Sequence, residues 1–537
     1  MPPKAATETS KSLKRPASDV SSDDQEEAAS KRPRRGTTNY EAGAHSEKKH
    51  AKTTKSAAAK SSRPVKEKAA PLNPLRQPAP KARPPRQLFV FGNGDFGQLG
   101  LGPDETTELT KPKLHAWCAE AIEEGRFGEP GAGIEAVAAG GMHSLMLDEQ
   151  GKVWSWGVND DSALGRQTEG VKDADGNPVD QEELSATPHV IDALVEQKFR
   201  AVVVVAGDCT GAALSDKGEL RIWGTFRSPE GQKAFSSTEK AKDGAARAAG
   251  ASETLHPVAL PGFKSIQIAA ISAGANHVIA LTTDGLVYGW GSSEQGQIGR
   301  KVVSRHRKNG MEPERLDIRE AVVVGTGDYH SFAVDKSGTV WAWGLNSWGQ
   351  LGFKSAANVT DSVHYTVEDV PSLHPDVTGS RVVQIAGGEH HTLFRLEDGR
   401  VFAVGRNDGG QLGVGPDHPS ILADPDAKGM ATFEPVQVPI QGFVTDIQAG
   451  PRYNLALTDT GILFSWGQGN LGISRDVSET SSPTLIAGRE SSVWKCLGMT
   501  CGGQHSFIIV SKKEPDEELT VASPAPVIAD AAVNGVH

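Results

Sequence analysis

Six times along the chain a His-type position is followed, fourteen residues later, by a glycine that closes an aromatic stretch: His143 to Gly157, Thr210 to Gly224, His277 to Gly291, His330 to Gly344, His391 to Gly405 and Tyr453 to Gly467. Constant spacing means one repeated structural unit, and a repeat constrains architecture more tightly than any single motif. Between the anchors lie two alternating apolar stretches around a short turn, as in "HSLMLDEQGKVWSWG" and "HVIALTTDGLVYGWG". Period-two alternation on both sides of a tight turn specifies a β-hairpin. Four closing glycines are followed by Gly-Gln-Leu-Gly or a close relative, at Gly97 to Gly100, Gly296 to Gly299, Gly349 to Gly352 and Gly410 to Gly413.

The ends of the repeat carry the most information. LFVFG, Leu88 to Gly92, is a closing half with no opening half before it, and CGGQHSFIIV, Cys501 to Val510, is an opening half with no closing half after it. Complementary halves at the two ends predict a ring, which hides its sheet edges by radial packing. Six whole units and one shared unit predict an all-β fold, a seven-bladed β-propeller over 87–511 closed by N- and C-terminal strands sharing one blade. Successive closing glycines are 53 to 67 residues apart, longer than the ~40–45 residues of a WD blade.

The net charge of -11 conceals two opposite parts. Residues 1–86 hold 20 Lys+Arg against 9 Asp+Glu, and the rest holds 36 against 58. The first segment is rich in Lys, Ala, Ser and Pro with almost no aromatic residues, so it is expected to be a disordered basic tail. Within it, Lys14-Arg15 precedes Lys31-Arg32-Pro33-Arg34-Arg35, a two-cluster arrangement suited to a nuclear import receptor or to phosphates. Residues 512–537 are expected to form a flexible C-terminal tail. No run approaches the ~18 apolar residues of a membrane helix, so no membrane partner is expected. No secretory signal is read at the N-terminus, and the four cysteines, Cys118, Cys209, Cys496 and Cys501, are too few and irregular for a disulfide frame or a zinc site.

Each repeated His belongs to a different unit, and Thr210 and Tyr453 fill the same position. A metal or catalytic reading is therefore rejected in favour of a buried group that hydrogen-bonds the tight turn of its own blade. Trp156, Trp223, Trp290, Trp343 and Trp466 are equally repeat-locked and are expected to pack between blades. Function is sought where the repeat stops dictating residue type, in the two positions before each His. These include Asp208-Cys209, Ala275-Asn276, Asp328-Tyr329, Glu389-His390 and Pro451-Arg452. Loops on a rigid rim are common sites of binding residues. No nucleophile–base constellation, phosphate-cradling loop or metal cluster is present in the pattern, so neither bond chemistry nor a cofactor is expected.

The Ala-Gly-x-x-His and Trp-Gly-x-Asn signals of these units resemble the regulator of chromosome condensation family over roughly 87–511. That resemblance implies a seven-bladed propeller acting as guanine nucleotide exchange factor for the small GTPase Ran, by stabilising its nucleotide-free state. In the family an Asp in an "AGD" turn and the first His of a "GGxHHT" turn are important for exchange, and they match Asp208 in "VAGDCTGAAL" and His390 in "AGGEHHTL". His391 keeps the repeat spacing, leaving His390 as the additional, exposed group. A second acidic residue of the family matches Asn276, where the charge is lost. The family's β-wedge matches "TFRSPEGQKAF" after Gly224. The expected GTPase contacts are thus Asn276, Asp328, Phe226, Arg227 and Gln232. The loop "RKVVSRHRKNG", with Arg300, Lys301, Arg305, Arg307 and Lys308, resembles the family's switchback loop, which docks on the histone acidic patch. The chromatin contacts expected are Lys14, Arg15, Lys31, Arg32, Arg34, Arg35, Arg305, Arg307 and Lys308. The expected partners are a Ran-like GTPase, the nucleosome and an import receptor, in the nucleus. The alternative is a propeller scaffold without exchange activity, which needs neither the Asp208–His390 pair nor a basic tail.

Overall fold

The computed structural model describes residues 70–235, 253–303, 310–354, 362–423, 430–486 and 493–513. They form seven blades, each a sheet of four antiparallel strands, one of which gains a short fifth strand. Blade 1 begins with Ile134–Ala139 and His143–Asp148, blade 2 with Ala201–Ala206 and Thr210–Ser215, and blade 3 with Ile268–Ala273 and His277–Thr282. Blades 4, 5 and 6 begin with Ala321–Thr326, Val382–Gly387 and Val444–Ala449. The closing blade joins the two ends of the ring. Gln87–Gly92 runs antiparallel to His505–Lys512, with Leu88 opposite Ile509, Val90 opposite Phe507 and Gly92 opposite His505.

The fourteen-residue spacing is the register of the hairpin. His143 faces Gly157, Thr210 faces Gly224, His277 faces Gly291, and the pattern recurs through Tyr453 and Gly467. The closing position needs glycine: at Gly157 φ is 101°, and a Cβ there would lie 2.5 Å from the Met142 carbonyl oxygen. A side chain would force the hairpin open next to the rim.

The repeated His rings do not serve their own turns. Backbone bonds close those turns, such as Gly140 N–H to the His143 carbonyl at 2.8 Å, which leaves the rings free to reach the next blade. Nε2 of His277 lies 2.7 Å from Ser331 Oγ, that of His330 2.7 Å from Thr392 Oγ1, and that of His391 2.7 Å from Asn454 Oδ1. His505 bridges to Ser144 at 2.8 Å across the closure, and the Tyr453 hydroxyl to Ser506 at 2.9 Å. These buried pairs fix the angle between neighbouring blades.

The tryptophans do pack between blades, as expected, and all five are fully buried. The Gly-Gln-Leu-Gly turn supplies their acceptor. Trp156 Nε1–H donates to the Gln98 carbonyl at 3.0 Å, Trp343 to Gln297 at 2.9 Å and Trp466 to Gln411 at 3.0 Å. Trp223 donates to Ala163, in the equivalent turn of blade 1. Blade 2 has no such turn after Gly224 and carries instead a small hairpin, Phe226–Arg227 with Lys233–Ala234. Accordingly, Trp290 in blade 3 has no acceptor among the described residues, and Phe263 packs edge-on against it at 5.5 Å.

Packing begins before the boundary expected at 86. Asn73 is buried, donates its amide N–H to the Thr283 carbonyl at 3.0 Å, and donates through Nδ2 to the carbonyls of Thr282 and Ala321. Ala79 N–H reaches Glu135. A segment without its own core can still be ordered by turn carbonyls left open on the rim opposite the His anchors.

Candidate functional site

The variable pairs lie in the turns that join the first two strands of each blade, and these turns interlock around the axis. Gly141 N–H donates to Gly207, Asp208 to Ala275, Asp328 to Gly388, Glu389 to Pro451, and Gly503 to Gly140. The turns enclose a pit of about 110 Å³ lined mainly by glycine and alanine backbone, with Asp208 and Asp328 on its wall. Small residues let the backbones converge; the carboxylates are then forced together. Removal from water, and then the charges of Asp208 and Glu389, push the Asp328 carboxyl up to about 8. Asp208 is exposed at the mouth, yet crowding by the turns raises its pKa, against the opposing pull of the Asn276 amide and the Arg227 charge.

Asn276 is the link between Asp208 and the hairpin. Its Nδ2 donates to Asp208 Oδ2 at 3.1 Å, and its Oδ1 accepts from the Arg227 backbone N–H at 2.7 Å. An ionised Asp in this place could accept from Arg227 but would set a second carboxylate against Asp208, whereas the amide satisfies both. The charge missing from the sequence pattern is thus replaced by a bridge.

Two expected contact residues turn out differently placed. Phe226, expected at the partner surface, is 1% exposed and stacks on the buried Phe235 at 6.4 Å; it is the foot of the hairpin, because a ring this size next to the blade 3 core is better buried than presented. The exposed part is Pro229 to Lys233, which includes Gln232. His390, expected to be exposed, has a side chain only 17% exposed. Its ring lies between Tyr329, at 6.3 Å, and Trp348, at 6.2 Å. Burial lowers its pKa, and the charges of Arg406 and Arg452 act in the same direction while Glu389 opposes them. Arg406 covers Trp348 at 4.7 Å, and Arg452 Nε lies 3.8 Å from Glu389.

The structure therefore brings Asp208, Asn276 and the backbone of Arg227 together on one side of the pit, with Asp328 and His390 on the blades beyond. Tyr329 was visible in the sequence as a rim residue; Trp348 was not, because it replaces one residue before a Gly-Gln-Leu-Gly turn and breaks no spacing. Of the basic loop, Arg300 points inward, donating to the carbonyls of Gly289 at 2.6 Å and Glu312 at 2.9 Å and pairing with Glu314. Lys301 lies over the Tyr365 ring at 5.3 Å. Arg305, Arg307 and Lys308 lie outside the described residues, as do Lys14, Arg15, Lys31, Arg32, Arg34 and Arg35.

Known proteins share this architecture. The chain is 35% identical over 427 residues to the protein pim1 of Schizosaccharomyces pombe, covering 78% of this chain and 74% of that protein. It is 31% identical over 442 residues to the guanine nucleotide exchange factor SRM1 of Saccharomyces cerevisiae, covering 79% and 86%. The crystal structure of Prp20p from Saccharomyces cerevisiae, a protein studied for its binding properties to Gsp1p and histones, superposes with a TM-score of 0.69 at 29% identity, covering 81% and 93%. With residues 87–508 matched by the RCC1-like domain, seven blades and a closure shared between its two ends, the chain belongs to the RCC1-like domain family.

Proposed function

We propose that this protein is a guanine nucleotide exchange factor for a Ran-like small GTPase and works by stabilising the nucleotide-free state of its partner. The observation that carries the reading is the continuous linkage of Asp208, Asn276 and the hairpin that replaces the blade 2 turn. It sets an anionic group and a projecting loop side by side on a rigid rim. Relatives bearing the name of exchange factor support the same assignment.

No bond chemistry is required. A factor that binds the empty GTPase better than the loaded one weakens nucleotide binding by the same ratio, and shifting a 1:99 balance to 99:1 takes about 5.5 kcal/mol of differential affinity. The tip of the hairpin, Pro229 to Gln232, would press on the phosphate-binding loop. Asp208 would hold a cationic or donor group of the GTPase released from phosphate, and its charge would disfavour phosphate nearby. Incoming nucleotide then binds by concentration.

The basic segment before residue 70 would tether the factor to chromatin through DNA phosphates, assisted by Arg305, Arg307 and Lys308 on the histone acidic patch, and its two clusters would engage a nuclear import receptor. Histone binding studied for Prp20p supports the chromatin part. The direct test is release of a fluorescent guanine nucleotide from purified Ran with and without this protein, and stimulation of at least about a hundredfold is expected, equivalent to about 2.7 kcal/mol. Binding without release would make the protein a scaffold. For the tail, removing residues 1–69 is expected to flatten the salt dependence of nucleosome binding, since each phosphate contact adds to the slope of log affinity against log salt. An unchanged slope would take the tail out of the interface.

A further inference from the structure

The blade 2 hairpin is fastened by a residue from the neighbouring blade. Five residues after their closing glycines, four units have Gly97, Gly296, Gly349 and Gly410, with φ between 72° and 78°. In blade 1 that place is taken by Ser162 at φ 64°, preceded by Asp161 at φ 58°. Two successive residues with side chains in the left-handed region are strained, and such strain persists where the surroundings impose it. What the turn achieves here is the direction of one carboxylate.

The Asp161 side chain is 2% exposed, and both of its oxygens face the hairpin. Oδ2 accepts from the Arg227 guanidinium, and Oδ1 is paired with the Lys233 ammonium. Arg227 and Lys233 are directly opposite each other in the two strands. A single buried carboxylate therefore ties both strands of the hairpin to blade 1. Burial alone would raise its pKa; the bonds from Lys233 and Arg227 outweigh that and hold it below the ordinary range.

The hairpin needs such a tie. Its ladder is two residue pairs long, and a two-stranded ribbon of that size does not hold its shape by itself in water. Beside it opens a cleft of about 1000 Å³, bounded by the closing blade at Phe96, by blade 1 at Asp160 and Gln181, and by Arg227 and Lys233. Without the carboxylate, the hairpin has room to lean into that cleft. Phe226 and Asn276 hold its first strand, and the buried Phe235 and a 3.6 Å pairing of Lys233 with Glu253 hold its second, whereas Asp161 is paired with both strands at once.

We infer that Asp161 is a positioning residue for nucleotide exchange: it touches no part of the GTPase and sets the angle at which the hairpin meets it. The inference rests on the exchange reading, and it adds a specific residue whose removal uncouples binding from release. Two variants test it, Asp161→Asn, which keeps size and loses charge, and Asp161→Gly, which also relieves the left-handed backbone. Both are compared with the wild-type full chain in nucleotide release from Ran at increasing Ran concentration. In parallel, amide hydrogen–deuterium exchange is followed in the hairpin peptide 225–235 and in the blade strands. For both variants the maximal release rate is expected to fall at least tenfold with less than threefold change in the half-saturating Ran concentration. The hairpin amides lose protection, and the blade strands and melting temperature are unchanged. Asp161→Gly is the decisive variant, because a purely structural strained aspartate would be replaced by glycine with no loss of rate. Wild-type rate in Asp161→Gly overturns the inference, and so does a lost rate with fully protected hairpin amides. If the wild-type chain itself fails to accelerate release, the exchange reading falls, and unaltered hairpin protection in the variants would still overturn the anchoring by Asp161.

Discussion

Moving this protein from pH 7 to pH 5 is expected to remove a large part of its conformational stability. Burial drives the imidazoles of His115, His143 and His391 down to about 4 and those of His277 and His505 to about 3, against weaker upward pulls from hydrogen bonds at His115, His143 and His391. In the unfolded chain these groups take up protons near 6.5. Below that pH the unfolded state binds more protons than the native state, so stability is fully present above about 6.5 and is lost as pH falls toward 4. Between pH 7 and 5 each such histidine costs about 2 kcal/mol, and five cost ~10 kcal/mol, comparable with the whole stability of a typical domain. Asp328 works the other way, since a carboxyl at about 8 in the native state gains about 3 kcal/mol over the same interval. The histidines outnumber it. Denaturant midpoints measured at pH 7, 6 and 5 should fall steeply, and His277→Gln should show a shallower slope than wild type. A flat profile would mean that these rings are not neutral and buried as described.

The second large effect concerns Asp208. Asp208→Ala is expected to lower the rate of nucleotide release by about ten- to a hundredfold, because a hydrogen bond to a charged group carries about 1.5–3 kcal/mol. Thermal unfolding should hardly move. The side chain is exposed, its loss leaves only the Asn276 amide to be solvated, and surface changes of this sort stay within about 0.5 kcal/mol. Stopped-flow release together with a melting curve separates the two quantities. A folded variant with wild-type release would remove Asp208 from the mechanism.

Residues whose role depends on their own blade were legible from the chain. His143 and Gly157 could be paired in advance because hairpin geometry converts a spacing into a register, and the half-units at Leu88 and His505 could be joined because each lacked what the other supplied. Residues whose role depends on the next blade were not. The His rings reach Ser331 or Thr392 across 54 and 62 positions of sequence. Asp161 meets Arg227 across 66, and Asn276 meets Asp208 across 68. Phe226 looked like a surface group because it sits in an insertion; the core of blade 3 beneath it decided otherwise.

The order of residues alone dictated the number of blades, the manner of ring closure and the rim on which variable side chains would stand, since each of these follows from period and spacing within one hairpin. The tertiary structure decided which of those side chains face the partner, which are pinned, and which are shut away. That outcome depends on distances between consecutive blades, set by the packing of the tryptophans and buried imidazoles that most blades carry, and no local pattern encodes it.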